Sequence, residues 1–154
     1  MIAPNLNITH ALPQFTLGQE YTLPSGETYK YIKASGALVA YEHVVISTDG
    51  NFTAVVSNTG TAGHGSGKVQ RVGCPQIAIP DTYSGWVFVG GGSYTGKVAL
   101  NCVQNVPLHL TNVNGVIDDT STTTLLVGVF LITTVTAAAA SPLIATNRML
   151  IAGI

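Results

Sequence analysis

One heptapeptide in this chain could cradle a phosphate. Gly91-Gly92-Ser93-Tyr94-Thr95-Gly96-Lys97 matches G-x-x-x-x-G-K, the loop whose backbone N–H groups and lysine hold nucleotide phosphates. The same chemistry needs Ser or Thr after the lysine, to hold Mg²⁺, and a helix whose N-terminus faces the phosphates. Val98, Ala99 and Leu100 follow instead. That is a strand pattern, so the segment reads as a glycine-rich hairpin loop. Gly63 to Lys68 fails sooner, because Ala62 stands where the first glycine is needed.

Other reactive types are present without the spacing that would make them act together. His10, His43, His64 and His109 are far apart, with no H-x-x-x-H or Cys-x-x-Cys pattern, so no metal site is expected. Ser84 precedes Gly85, but Thr82 occupies the position where a nucleophile elbow needs glycine. A triad would also need a histidine base and an acid that some signature selects, and none does. Asp118-Asp119 offers two carboxylates in a Thr-rich stretch. A calcium loop wants several spaced oxygen ligands, so a solvated turn is the expectation. No catalytic residue, cofactor or metal is assigned.

The elements that would position any site are strands. Thr28 to Lys33 alternates, placing Tyr29 and Tyr31 on one face and Lys30 on the other. Val44-Val45-Ile46 suits a buried strand, Asp49-Gly50 a hairpin turn, and Asn51 to Ser57 the return. Asn58 to Lys68 is a glycine-rich surface loop. Gln76 to Leu100 reads as strand, turn, strand, glycine-rich turn, strand, with Trp86 a core residue after a Ser-Gly turn. Val98 to Leu110 is a further strand, Thr111 to Thr124 a polar hairpin region, and 125–136 the most apolar run. Ser141-Pro142 breaks the pattern before a last strand. Short strands and frequent turn signals, without a helical period, predict an all-β fold: a compact β-barrel or sandwich. No fixed repeat period is legible, so no solenoid is expected.

Residues 1–19 carry no charge and contain Pro4 and Pro13. They read as an extended N-terminal arm, with 20–154 as a single β domain. Its apolar side chains, Ile2, Leu6, Ile8, Leu12 and Phe15 among them, would be costly to leave in water. They should lie on the body of the chain or on a neighbouring subunit. Tyr83 is left as a further contact candidate.

Composition narrows the partners. Charged residues make up 8% of the 154, against about 25% in ordinary soluble domains. Such a surface is poorly protected against association, which suits a protein that lives in an assembly. The net charge is −1 and the six basic residues are scattered, so nucleic acid is an unexpected partner. No charge falls between Ser121 and Asn147, a length that could span a bilayer. Thr133, Thr134, Thr136, Ser141 and Pro142 interrupt it, and buried strands are the better reading. No secretory signal is seen, and Cys74 and Cys102 are expected as buried thiols.

Four segments carry a resemblance to a known family: Y-K-Y-I-K-A-S-G-A-L-V-A-Y (29–41), V-G-C-P-Q-I-A-I-P-D-T-Y-S-G-W-V-F-V (72–89), C-V-Q-N-V-P-L-H-L-T-N-V-N-G-V-I-D-D-T-S (102–121) and V-G-V-F-L-I-T-T-V-T-A (127–137). In these the chain resembles the capsid decoration, or cement, proteins of tailed bacteriophages. The resemblance covers roughly residues 20–154 and carries no catalytic residues. It implies a structural virion protein on the outer capsid surface, bridging major capsid subunits, often as a homotrimer, with no enzyme activity. Ile2, Leu6, Ile8, Leu12, Phe15 and Tyr83 are the contact candidates. The alternative is a head-fibre or tail-associated β-domain that binds a host glycan through an exposed Tyr/Trp shelf. A third reading, nucleotide hydrolysis at Gly91–Lys97, lacks the serine or threonine and the helix noted above.

Overall fold

The computed structural model describes residues 3–47, 50–59, 70–120, 124–137 and 139–153. Ile2, His64, Thr48-Asp49 of the expected hairpin turn, and the glycine-rich loop from Gly60 onward lie outside the described residues. Among the described residues there is no helix, and the all-β expectation holds. Ten strands form one sheet: β1 (Glu20–Thr22), β2 (Thr28–Ala34), β3 (Val44–Ile46), β4 (Thr53–Val56), β5 (Gln70–Pro75), β6 (Ser84–Val98), β7 (Leu108–Leu110), β8 (Ile117–Asp118), β9 (Thr124–Leu131) and β10 (Ala139–Gly153).

The pairings close the sheet twice. β2 lies parallel to β4; β4 runs antiparallel to β3, β3 to β5, β5 to the first half of β6, and that half back to β2. This is ring 1. The second half of β6 lies parallel to β8; β8 runs antiparallel to β7, β7 to β9, β9 to β10, and β10 back to β6. This is ring 2. Closure removes the exposed edges that an open sheet would present. One 15-residue strand, β6, is a wall of both rings.

The two rings are the same structure used twice. The first strand pairs parallel with the third, and the antiparallel order is otherwise identical. The registers also match. Tyr29↔Phe88, Lys30↔Val87, Tyr31↔Trp86, Ile32↔Gly85 and Lys33↔Ser84 in ring 1 correspond to Ser93↔Ile144, Tyr94↔Leu143, Thr95↔Pro142, Gly96↔Ser141 and Lys97↔Ala140 in ring 2. Connecting hydrogen bonds repeat at the same offsets. Ser35 N to Ala54 O (2.9 Å) matches Ala99 N to Ile117 O (2.9 Å), and Tyr41 N to Pro75 O (2.7 Å) matches Asn105 N to Leu131 O (3.3 Å). Tyr41 and Asn105 share the same rare positive φ, 70° and 60°. No repeat is legible in the sequence because almost nothing but pattern is shared. Across 28–47 and 92–111, Lys33/Lys97 and Val39/Val103 are the identical pairs.

Alternation explains the burial. Ile32, Val44, Ile46, Ala54, Val87 and Val89 fill ring 1. Val98, Leu108, Leu110, Ile117, Leu126, Leu131 and Leu143 fill ring 2, in a core that continues through Val72, Cys74 and Phe88 into the space between the rings. From Val72 to Pro75, strand β5 is buried on both faces. Gly73 points into ring 1, where a Cβ would come within 2.8 Å of Val87 Cγ2.

Two expectations are corrected. Gly91–Gly96 is not a hairpin loop: β6 continues through it without a turn. Gly90 and Gly91, at φ 144° and 85°, supply the kink that carries the strand from ring 1 into ring 2, and a Cβ on Gly91 would collide with the Gly26 carbonyl. Ser141-Pro142 is not a break either, since both lie within β10. Pro142 is tolerated because it sits where the β9–β10 ladder ends: β9 stops at Leu131, opposite Leu143, and beyond it Pro142 only accepts, from Ile132 N at 3.3 Å.

Candidate interaction surface

The N-terminal arm lies on the outer face of ring 1. His10 makes a single antiparallel bridge with Ser84, each backbone N 2.8 Å from the other's carbonyl. Nδ1 of His10 is 2.9 Å from the Tyr31 hydroxyl, and the Gln14 N–H donates to that same oxygen at 3.2 Å. Phe15 sets its ring edge-on against Trp86 and Tyr31, with centroids at 5.2 and 5.3 Å. Further along, Gly18 N donates to Tyr31 O, and Tyr31 N donates to Gln19 O. The arm thus extends β1 along the free edge of β2.

The predicted contact residues fall into two groups. Phe15 and Tyr83 are half-buried against this chain's own body, Phe15 as described and Tyr83 on the ring 1 core. Leu6 is half-buried. Ile8 and Leu12 stay in solvent, Leu12 at 76% exposure. Trp86 and Tyr94 are buried, so the aromatic shelf that glycan stacking would require is not formed by them.

A second apolar surface was not singled out in the sequence. On the outer face of ring 2, Phe130 and Ile144 are cross-strand neighbours, each 39% exposed. Val127 and Ile132 are exposed beside them. A recess of about 180 Å³ opens next to Pro107, lined by Leu125, Val127 and Phe130. The signal was present in L-L-V-G-V-F-L-I. That run looked wholly buried, whereas Gly128, at φ 79°, and the register shift opposite it turn part of the run outward.

The buried histidine and the two thiols are held in the interior. His43 is fully buried; its Nδ1 is 3.1 Å from Gly115 O and its Nε2 is 2.9 Å from Tyr94 Oη. A carbonyl can only accept, so Nδ1 carries the proton and Nε2 accepts from the tyrosine. Burial holds the His43 pKa down to about 4, although the Gly115 carbonyl favours the charged form. Cys74 and Cys102 are free, buried thiols. Burial pushes Cys74 far up, and burial with the nearby Asp119 and Asp118 pushes Cys102 up to about 11. Cys102, Asp118 and Asp119 bring ligand atoms within 4.8 Å of one another, a proximity that chain spacing did not reveal. The carboxylates accept hydrogen bonds from Val103 N, Asp119 N and Thr120 Oγ1. A thiol with so high a pKa is protonated near neutrality and is a poor ligand in that state.

At the mouth of ring 1, Lys30 is 3% exposed and its Nζ sits 2.9 Å from Glu20 Oε1. Arg71 reaches the same oxygen at 3.7 Å. Two adjoining cavities of about 320 and 490 Å³ share Glu20, Lys30 and Arg71 as lining. The buried ammonium is neutralised by Glu20, so the group is first a structural ion pair.

Comparison of the chain with protein-family models, curated proteins and solved structures finds no match.

Proposed function

We propose that this protein is a structural, non-enzymatic component of a tailed-phage head. It decorates the outer capsid surface and bridges neighbouring major capsid subunits, as an oligomer expected to be a trimer. The reading rests on the resemblance carried by residues 29–41, 72–89, 102–121 and 127–137. The observation that supports it best is the pairing of very low charge with uncharged apolar side chains left in solvent: Ile8 and Leu12 on the arm, and Phe130, Ile132 and Ile144 on ring 2. At ~25 cal/mol per Å², covering a few such side chains contributes several kcal/mol per contact before ordering costs. Repetition over a shell converts modest contacts into lasting attachment. The glycan-binding alternative is weaker, because Trp86 and Tyr94 are buried.

The test is cosedimentation of purified protein with expanded, undecorated heads, followed by cryo-EM of the particles. Binding in a fixed ratio to capsid subunits is expected. A monomer that never binds expanded heads would overturn the reading.

A further inference from the structure

Two of the chain's six basic residues converge on the mouth of ring 1, although nothing in their spacing joins them. Lys30 leaves β2 on the same face as the core residues Ile32 and Ala34, and Arg71 leaves β5 on the same face as Gly73. Both reach Glu20, which stands opposite Lys30 in β1. Among the described residues, Lys30 Nζ has one hydrogen-bonding partner, Glu20 Oε1 at 2.9 Å, and a second contact with the Phe52 ring, 5.2 Å from its centroid. Arg71 Nη1 is 3.7 Å from the same oxygen, beyond hydrogen-bond length. An ammonium carries three N–H donors and a guanidinium five. Two cations thus face one carboxylate with donors to spare, and the ammonium is buried. Ring 2 closes the matching position with uncharged groups. Lys30 corresponds in register to Tyr94, which is buried, its hydroxyl donating to His43 Nε2 at 2.9 Å.

We propose that the mouth of ring 1 is a binding site for a small organic molecule carrying one carboxylate on an apolar stem. The carboxylate takes the unused donors of Lys30 and Arg71 in charge-assisted hydrogen bonds. Together with Glu20 it balances the two cations. A phosphate monoester, at about −1.5 to −2 near neutrality, would leave negative charge uncompensated. The stem is apolar because Val72, Val89, Met149 and Leu150 form the rest of the first cavity wall. The two cavities, about 320 and 490 Å³, are both lined by Glu20, Lys30 and Arg71. Their size lies within the roughly 300–1,000 Å³ of small-molecule sites, which favour barrel mouths and set a few placed polar groups in apolar walls. Binding offsets the cost of an ammonium buried with most of its donors unused. The proposal does not require the virion reading.

The experiment uses the full chain with ¹³C-labelled methionine methyls, because Met149, one of two methionines, lines the cavity. Hexanoate is the probe. Hexanamide, its uncharged counterpart, and inorganic phosphate are the controls, all at neutral pH and constant ionic strength. A saturable shift of the Met149 methyl is expected with hexanoate and with neither control. Arg71→Gln changes a largely exposed side chain and should weaken binding roughly tenfold or more, as loss of a charge-assisted contact predicts, while circular dichroism is unchanged. The paired change Glu20→Gln with Lys30→Met removes the ammonium and its partner together and should abolish binding. No saturable shift at millimolar hexanoate, equal binding of hexanamide or phosphate, or full affinity in either folded variant would overturn the proposal.

Discussion

The Tyr31 hydroxyl and His10 Nδ1 meet at 2.9 Å, and this contact fastens the uncharged arm to ring 1. Phe15 completes the attachment by packing over Tyr31 and Trp86. Phe15→Ala should therefore free the arm without dissolving either ring. A loss of about 1–3 kcal/mol is expected for this half-buried ring. The single tryptophan reports it directly: Trp86 emission should shift to the red, and protease should cut within residues 3–17 before the body. Unchanged emission would show that the arm is held by other means.

His43 makes stability depend on pH. Its folded pKa, about 4, lies below the ordinary value of 6.5, so between these values the unfolded chain binds the extra proton. The neutral ring's contribution is therefore complete above about pH 6.5 and declines as pH falls toward 4, reaching on the order of 3 kcal/mol. Denaturant titrations from pH 7 to 4 should show this decline, with a shallower slope in His43→Gln. Parallel slopes in the two proteins would contradict the assignment.

Gly96 faces the same imidazole. A Cβ there would come within 2.8 Å of His43 Cε1 and 2.7 Å of Leu143 Cδ1. Gly96→Ala should cost about 1–3 kcal/mol through overpacking, seen as a lower thermal midpoint. An unchanged midpoint would mean that ring 2 has room to yield.

The Glu20–Lys30 pair should respond asymmetrically. Glu20→Gln leaves an ammonium buried in ring 1 without its main partner and should cost about 1–3 kcal/mol, tempered by the partial exposure of Glu20. Adding Lys30→Met should recover most of that loss. Chemical denaturation of the single and double variants distinguishes this from a pair that contributes nothing, for which both singles would be silent.

Both thiols should resist modification in the native protein. Cys74 and Cys102 are buried with raised pKa values, and the thiolate is the reactive form. An aromatic disulfide reagent at pH 8 should label neither until denaturant is added. Rapid native labelling would place at least one thiol at the surface.

The sequence made the strand content legible because alternation and β-branching are local signals. Tyr29, Lys30 and Tyr31 divide between faces as their spacing predicts. The closure of two rings was not legible, because it depends on which strands pair at long range. Gly91 to Gly96 illustrates the difficulty: glycines that look like a turn are needed within a strand because Gly26, Glu27 and His43 approach so closely. Pro142 misled in the same way, since its tolerance depends on where β9 stops. The duplication is carried by register and by hydrogen bonds such as Tyr41–Pro75 and Asn105–Leu131, which many side chains can satisfy. On the candidate surface, the apolar character of the arm was plain, whereas the outward turn of Phe130 depends on a bulge that composition does not encode.

Strand β6 gives the molecule a mechanical property. It is hydrogen-bonded to β2 along its first half and to β10 along its second. A pull directed along it loads both ladders in shear, so many bonds must fail together instead of unzipping singly. Force applied to one ring passes to the other through an unbroken covalent backbone, with no hinge or linker between them to stretch.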